Sequence, residues 1–288
     1  MSKLNEIKQR ITGVKKTKKI TQALNMVAAA KFRKAHIELL SARPYSDKLY
    51  QLINDLCDRL ITKESLFFAN EGQKTGVIVI AGDRGLCGSF NNNIFKKTES
   101  FAKEIGQDIE LILIGTKTCQ YFKKQILPIV KEYLHFFDQA AFENARNVSE
   151  FILEQYLNHN WKEVFVVYND FKSAITQKTL VKKILPVEEN VLEPSETPKE
   201  GYCTDYIYEP GDDEVIKALL TKHTSFQLYR IFLESSTSEQ AARMTAMEAA
   251  TDNAVDMINR YTLRYNRVRQ AVITTEIAEI VGGAEALA

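Results

Sequence analysis

Hydrophobic residues recur at alternating spacings of three and four positions in two long stretches, one at each end of the chain. This spacing is typical of the seam along which one helix winds around another. No glycine or proline occurs between Asp212 and Val281, so about 70 residues can form one helix on the order of 100 Å long, at ~1.5 Å per residue. The C-terminal seam comprises Met244, Met247, Thr251, Ala254, Ile258, Tyr261, Tyr265, Val268 and Val272.

The N-terminal stretch predicts a helix over residues 3 to about 42. Because proline disfavours helical geometry in the residue before it, Pro44 predicts a kink or a break at Arg43, after which the helical pattern resumes towards residue 60. The two terminal helices are expected to pair antiparallel, with part of the longer C-terminal helix projecting alone. The predicted N-terminal seam opens with Leu4, Ile7, Ile11 and Val14 and then drifts through Ile20, Leu24 and Val27 to Phe32, Ala35 and Leu39.

The middle of the chain has a different pattern, in which short apolar runs alternate with helical stretches. Runs rich in β-branched residues occur at 75–81, 109–114 and 163–168, and each is typical of a strand buried on both faces. This alternation predicts an open α/β sheet. The helical stretches lie at 92–105, 116–125 and 141–158, and 179–186 is a candidate edge strand.

The predicted fold is therefore α/β: a long antiparallel coiled coil of the N- and C-terminal helices with an inserted Rossmann-like α/β domain. Its parts are an N-terminal coiled-coil helix at 1–60, an α/β globular domain at 72–205 and a C-terminal coiled-coil helix at 210–288. Residues 187–204 contain five glutamates and two prolines, which predicts a surface loop.

Composition excludes several classes of protein. The net charge of +1 over 288 residues gives no global reason to expect nucleic acid or an anionic membrane as a partner. No apolar run approaches ~18 residues, so no transmembrane helix is expected, and the first residues lack the apolar core of a signal peptide. The four cysteines and four histidines are scattered, so we expect no disulfide framework, no metal site and no cofactor.

The sequence GDRGLCGSFNNN begins at Gly82, directly after the first predicted strand. A glycine-rich turn between a strand and a helix can bind phosphate, but the GxxGxxG spacing is neither the dinucleotide fingerprint nor a Walker loop. The favoured interpretation is a tight connection that needs glycine for its backbone conformation. The alternative is that this loop binds phosphate and that the chain is a nucleotide-binding enzyme with coiled-coil arms.

Four lysines lie between Lys15 and Lys19. They are interpreted as a solvated helix face, as a nucleic-acid patch, or as the contact for an acidic protein partner, and the last is favoured. A nucleic-acid patch usually interleaves aromatic residues, which this run lacks. Glu239 with Arg243, four residues apart, is interpreted as a pair that supports a helix and needs no functional role.

Three segments together resemble the gamma subunits of F-type ATP synthases. They are KITQALNMVAAAKFRKA (19–35), DRGLCGSFN (83–91) and TSEQAARMTAMEAATDNA (237–254), the last continuing to Leu287, and YIYEP at 206–210 also matches. The resemblance covers the whole chain and implies a central-stalk rotor subunit. Such a subunit transmits torque between the membrane c ring and the catalytic alpha/beta hexamer, coupling ion translocation to ATP synthesis or hydrolysis.

The resemblance also implies the partners and the location. The expected partners are three alpha and three beta subunits, the epsilon subunit and the c ring, without nucleic acid. The subunit is expected to be non-catalytic, since catalysis belongs to the beta subunits, and to reach the membrane only through the c ring. With no transit peptide in the sequence, the expected location is the cytoplasmic face of a bacterial plasma membrane, as a peripheral protein.

The matching motifs assign expected contact residues. Arg269, Gln270, Thr274 and Glu276 match positions implicated in contact with the catch loops of the beta subunits, and Arg243 matches a coupling position. Leu24 stands where the family usually has methionine, a swap of similar volume. The full set expected to contact the alpha/beta hexamer is Lys18, Lys19, Leu24, Arg243, Arg269, Gln270, Thr274 and Glu276. The set expected at the foot, near the c ring and epsilon, is Asp83, Arg84, Gly85, Tyr206, Tyr208 and Glu209.

Overall fold

A computed structural model describes residues 2–60, 70–106, 108–139, 142–174, 176–187 and 211–285. The helices are α1 (Ser2–Leu60), α2 (Phe90–Ile105), α3 (Thr116–Phe122), α4 (Phe142–Leu157) and α5 (Asp212–Glu285), with a short 3₁₀ turn at Phe136–Gln139. The strands are β1 (Lys74–Ile80), β2 (Ile109–Ile114), β3 (Ile129–Tyr133), β4 (Trp161–Phe171) and β5 (Gln177–Leu185).

The described residues pack as two compact units. Met1–Ala30 with Arg243–Ala288 forms one, here called the coiled-coil unit, and Lys31–Ala242 forms the other, the α/β unit. Both α1 and α5 therefore contribute residues to both units. The sequence had predicted a division by element instead, with the whole of residues 1–60 and 210–288 assigned to the coiled coil.

The α/β unit is built on a five-stranded sheet in the order β3-β2-β1-β4-β5. Neighbours among β3, β2, β1 and β4 run parallel, and β5 is the antiparallel edge strand. Alternate residues of each central strand face opposite sides, as the pleat requires. Ile78 and Ile80 of β1 pack with α4, α5 and Leu49 of α1, whereas Val77 and Val79 pack with α2 and α3.

Most of the predicted elements are confirmed, and one strand was not predicted. The three buried strands, the edge strand at 177–185 and the helices after β1, β2 and β3 lie close to their predicted positions. Of the kink or break predicted at Pro44, the break does not occur, because α1 continues from Ser2 to Leu60 with Pro44 inside it. Strand β3 was not predicted. Its sequence, IVKEY, contains two charged residues, as an edge strand tolerates.

In the coiled-coil unit, three contacts define how the two helices run. Arg10 forms a side-chain hydrogen bond with Tyr261, which with Glu6 raises the pKa of Arg10. Thr21 Oγ1 lies 2.8 Å from Thr251 Oγ1, and Asn25 Nδ2 donates to the Met244 carbonyl at 3.3 Å. Positions in α5 decrease as those in α1 increase, so the pair is antiparallel, as predicted.

The predicted C-terminal seam is confirmed residue by residue. All nine of its members between Met244 and Val272 are at least half-buried, while most of the residues between them are exposed. The predicted N-terminal seam is right at Leu4, Ile7, Ile11 and Val14, wrong at Ile20 and Val27, and right again at Phe32, Ala35 and Leu39. Its path does not drift to Ile20 and Val27, which are exposed. The residues that face inwards are Lys18, Thr21, Asn25 and Ala28, then Phe32, Ala35 and Leu39.

The correction has a physical cause. The seam keeps its strict three-four spacing and accepts polar residues, because the hydrogen bonds of Thr21 and Asn25 to α5 satisfy their polar atoms. The apolar side chains Ile20 and Val27 lie off the seam at this point, so an apolar pattern alone does not follow it. No helix in the described ranges carries an apolar stretch long and uncharged enough to cross a bilayer.

Two glycines with positive φ give a test of the packing at the carboxyl edge of β1. Gly115 has φ +99° and a Cβ there would lie 2.1 Å from the Ala81 carbonyl oxygen, whereas Gly106 has φ +92° with open space around it. We expect Gly106→Ala to destabilise the fold by about 1 kcal/mol and Gly115→Ala by about 3 kcal/mol or more, since the backbone must also shift. Urea unfolding of the two variants measures the difference, and equal losses would contradict this packing.

The α/β unit also contains a buried histidine on α5. His223 is 5% exposed, and burial together with the charge of Lys182 lowers its pKa from 6.5 to about 4. Below pH 6.5 the unfolded chain binds a proton that the folded chain excludes, so stability is lost as the pH falls towards 4.

We therefore expect His223→Leu to remove a pH-dependent loss of stability. In the wild type, the lowered pKa of His223 reduces the free energy of unfolding by roughly 2 kcal/mol between pH 7 and pH 5. His135→Asn, a change at an exposed histidine, is the matched control and should keep the wild-type dependence. Urea unfolding at the two pH values checks this, and a His223→Leu variant with the wild-type slope would refute it.

Candidate functional site

The free end of α5 is the first candidate surface. Because Arg10 pairs with Tyr261, the start of α1 at Ser2 lies opposite about residue 269 in this antiparallel register. Beyond that point α5 continues to Glu285 with no residue of α1 opposite it. The predicted contact residues Arg269, Gln270, Thr274 and Glu276 are all exposed on this end, and Thr274 Oγ1 donates within the helix to the Gln270 carbonyl at 2.9 Å.

The same end has an apolar face in the open. Ile273, Ile277, Ile280 and Val281 are exposed, and their spacing puts them on one side of the helix. A contiguous exposed apolar surface is uncommon on a monomer and marks an interaction site. This face was not predicted, although the three-four spacing of its residues is present in the sequence.

The helix pair next to this end is strongly basic. Residues 2–30 contain seven lysines and arginines and one glutamate, and residues 258–272 contain four arginines and no acidic residue. Of the two predicted contact lysines, Lys19 is exposed and Lys18 is half-buried in the seam. Such a concentration of one sign of charge attracts an acidic partner.

Leu24 lies beside this basic surface on α1. It is half-buried, and the neighbouring apolar residues Ile20, Met26 and Val27 are exposed. Arg243, where the coiled-coil unit begins on α5, is half-buried too. The expected contact residues for the hexamer therefore all belong to the coiled-coil unit, and most have at least part of their side chain accessible.

The loop from Gly82 to Gly88 is the second candidate surface, at the carboxyl end of β1. Leu86 is its most exposed apolar residue, at 66%, with φ +63°, a conformation in which a bulky residue is uncommon. Arg84 is exposed, and its carbonyl accepts a hydrogen bond from Asn91 Nδ2 at 3.4 Å. Cys87, in the same loop, is buried.

Asp83 shapes this loop from within. Its Oδ1 accepts hydrogen bonds of 2.8 Å from both the amide and the hydroxyl of Thr116, and its Oδ2 accepts one of 3.1 Å from the Phe137 amide. One carboxylate thus ties the turn after β1 to the start of α3 and to the 3₁₀ turn. These bonds give Asp83 a structural role, and a contact with a partner through its side chain stays a prediction.

The other expected foot residues, Tyr206, Tyr208 and Glu209, lie outside the described ranges, as does most of the predicted loop at 187–204. Among the side chains that the structure describes, no group of three His, Cys, Asp or Glu could hold a metal ion. The described cysteines, Cys87 and Cys119, are buried free thiols, and burial raises the pKa of Cys119 to about 11.

Sequence reasoning missed one part of this site. Glu239 had been assigned no role beyond supporting its helix, yet it is buried at 4% exposure with its carboxylate against Gly82. A buried carboxylate facing a glycine-rich loop cannot be inferred from helical spacing. The buried residues around it, Ser235, Thr237 and Ser238, are polar and gave no apolar signal.

Comparison with known proteins gives one consistent family. A family model described as ATP synthase matches residues 3–287. The ATP synthase gamma chain of Desulfitobacterium hafniense is 38% identical over 288 residues, the whole of both chains. Those of Chlorobium phaeobacteroides and of a species of Anaeromyxobacter are 40% and 41% identical, over 100% of this chain and 99% and 100% of theirs.

Solved structures show the same fold. A chain of the Euglena gracilis mitochondrial ATP synthase, in an OSCP/F1/c-ring structure, aligns with a TM-score of 0.68 and 19% identity, covering 99% of this chain and 95% of that one. A chain of the Tetrahymena thermophila mitochondrial ATP synthase, from its central stalk and c ring, aligns with a TM-score of 0.60 and 23% identity over 80% and 99%. At these identities the likeness concerns the fold alone.

The geometry of Asp83 generates a test. We expect Asp83→Ala to destabilise the α/β unit by about 2 kcal/mol, because it leaves the Thr116 and Phe137 amides without their acceptor. Glu104→Ala, which removes an exposed carboxylate from α2, is the control and should change the stability by less than about 0.5 kcal/mol. Thermal unfolding of both variants measures this. A loss of stability no larger than that of the control would show that the hydrogen bonds of Asp83 contribute nothing to stability.

Proposed function

The chain belongs to the ATP synthase gamma-chain family, and from that premise we propose how its parts serve as the rotor of the central stalk. It is a non-catalytic subunit of that complex. The observation that carries the proposal is the long α5, unbroken from Asp212 to Glu285, paired with α1 by an antiparallel seam and free beyond about residue 269. A helix held in this way can transmit twist along its length.

The coiled-coil unit acts as the shaft inside a ring of three alpha and three beta subunits. Its free end, with the exposed apolar face at 273–281, enters deepest, since an apolar surface of this kind needs a partner to cover it. Arg269, Gln270, Thr274 and Glu276 contact the catch loops of the beta subunits. These four polar side chains are exposed on α5. The backbone groups of the helix bond to each other, so the side chains are available for hydrogen bonds across such an interface.

The basic surface of the helix pair faces acidic loops on the beta subunits. Lys19 and the arginines of 258–272 project from it, while the exposed Ile20 and Val27 beside Leu24 supply an apolar contact. As the shaft turns, each beta subunit meets a different side of an asymmetric surface. That difference biases its nucleotide affinity, which amounts to a coupling free energy between distant sites.

The α/β unit forms the foot, which meets the c ring and the epsilon subunit. Arg84 and Gly85 of the loop after β1, with Tyr206, Tyr208 and Glu209, are the proposed contacts, and Asp83 holds the loop in shape. The chain touches the membrane only through the c ring, at the cytoplasmic face of a bacterial plasma membrane. The bacterial source of the gamma chains that it resembles over its full length supports this location.

Two other functions have less support. For a nucleotide-binding enzyme, the loop after β1 would have to offer its amides to phosphate, but the Gly82 amide donates to Asn91 Oδ1 at 2.9 Å and a buried carboxylate faces the same glycine. For a nucleic-acid binder, the basic surface lacks the exposed aromatic residues on which bases stack. An acidic protein partner accounts for the charge without either.

The proposal predicts that the shaft fails if its helix is broken. Proline in place of Ile258, a half-buried seam residue, removes a backbone hydrogen bond and destabilises the helix by ~3 kcal/mol or more. We expect complexes that contain Ile258→Pro to hydrolyse ATP with most of their proton pumping lost. Ile258→Ala keeps the helix and should retain most of it.

The measurement uses the assembled complex in inverted membrane vesicles, with pumping and hydrolysis recorded together. The wild-type chain should first co-purify with the larger subunits of the hexamer. A chain that never co-purifies, or an Ile258→Pro complex that assembles and pumps normally, would end the shaft hypothesis.

A further inference from the structure

The strand order of the sheet creates a crevice of the kind in which other α/β proteins bind ligands. The chain winds outwards from β1 through β2 to β3 and then returns to β4 on the other side of β1. Open α/β sheets bind their ligands at such a switch point, outside the carboxyl ends of the two strands. Here the switch point lies between the carboxyl ends of β1 and β4.

Helix α5 fills this crevice. Ser238 Oγ donates to the carbonyl of Asn169, near the carboxyl end of β4, at 3.2 Å. The next residue, Glu239, directs its carboxylate at Gly82, which follows β1. A Cβ at Gly82 would lie 2.8 Å from both Cδ and Oε1 of Glu239, so a side chain at this position would displace the carboxylate.

The path of α5 explains why it meets both strands. Leu228 and Phe232 belong to the core cluster on one face of the sheet, and Ala242 packs against the cluster on the opposite face. Between these residues the helix must pass over the carboxyl edge of the sheet. Ser238 and Glu239 lie at that crossing, where a bound nucleotide lies in other proteins of this topology.

Polar contacts connect the crossing to the loop after β1. Asn91 accepts from the Gly82 amide at 2.9 Å and donates to the Arg84 carbonyl at 3.4 Å. Asn169 Nδ2 donates to the Phe90 carbonyl at 3.3 Å. The loop, the start of α2, the end of β4 and α5 are thus joined by one network of directional bonds.

We propose that Glu239 and Gly82 form a clasp through which the α/β unit holds α5 against rotation about the helix axis. The inference rests on the proposed rotor function. Apolar side chains resist sliding weakly, because their contacts are not directional, whereas a buried carboxylate packed against the backbone of Gly82 cannot move without losing the polar surroundings that its charge needs. Torque that enters the α/β unit therefore passes into α5 at this contact. Glu239 is a positioning residue, and the switch-point crevice serves as the grip on the shaft.

The test compares two glycine substitutions in the assembled complex. Gly82→Ala introduces a Cβ that collides with the Glu239 carboxylate, whereas Gly211→Ala introduces one into open space at ordinary φ. In inverted vesicles we expect Gly82→Ala to lower the number of protons pumped per ATP hydrolysed by roughly five-fold, with Gly211→Ala at the wild-type ratio. A purely structural defect would lower the amount of complex and leave this ratio unchanged.

A double variant identifies the contact itself. Glu239→Ser removes the carboxylate, and we expect it to lower the same ratio. Because both changes act on one contact, Gly82→Ala with Glu239→Ser should be no worse than the more impaired single variant. Losses that multiply would mean that the two residues act independently and would overturn the clasp.

A third variant keeps the test decisive if the complex assembles poorly. Should Gly82→Ala reduce the yield of complex, Glu239→Gln keeps the size of the side chain and removes its charge, and a lowered ratio is again expected. A normal ratio in Glu239→Gln and Glu239→Ser overturns the proposal. Failure of the rotor function is distinguishable, since in that case the wild-type chain itself would not assemble or support pumping.

Discussion

The burial of one narrow seam between α1 and α5 is the constraint on which the coiled-coil unit depends. Two helices have no third layer to cover them, so each inward position must be filled and each inward polar atom must be paired. Thr21 with Thr251 and Asn25 with the Met244 carbonyl meet this requirement. They also fix the register, because a shift of either helix would leave buried polar atoms without partners. The free length of α5 follows directly from that register.

The sequence was sufficient to predict an element or a seam wherever its apolar pattern was strong. The buried strands and the C-terminal seam could be predicted because nearly every inward residue there is apolar. Prediction failed where packing used polar residues. The seam at Lys18 and Thr21, the edge strand from Ile129, and the buried run around Ser238 all depend on tertiary partners that periodicity does not reveal. At Pro44 a local preference was overridden, since the helix continues through the proline where a break was one of the two predicted outcomes.

The candidate site was predictable in the same uneven way. The exposed positions of Arg269 and Gln270 follow from helical spacing, because they lie between the seam residues Val268 and Val272, and the role proposed for them rests on the resemblance to a family. The apolar face at 273–281 could also have been recognised, since its spacing is regular. By contrast, the bonds of Asp83 join segments 33 and 54 residues away in the chain, and no local pattern encodes such contacts.

The crossing of α5 over the sheet gives the α/β unit a physical purpose that its topology alone leaves open. A doubly wound sheet has a crevice where the two windings part, and polar groups at the strand ends must find partners there. In nucleotide-binding proteins the ligand supplies them. In this chain Ser238 and Glu239 lie in that position, so the crevice is filled by a part of the chain itself. In the proposed rotor α5 is also the shaft, so the sheet edge that binds a small molecule in other proteins of this topology is placed here to hold a helix under load.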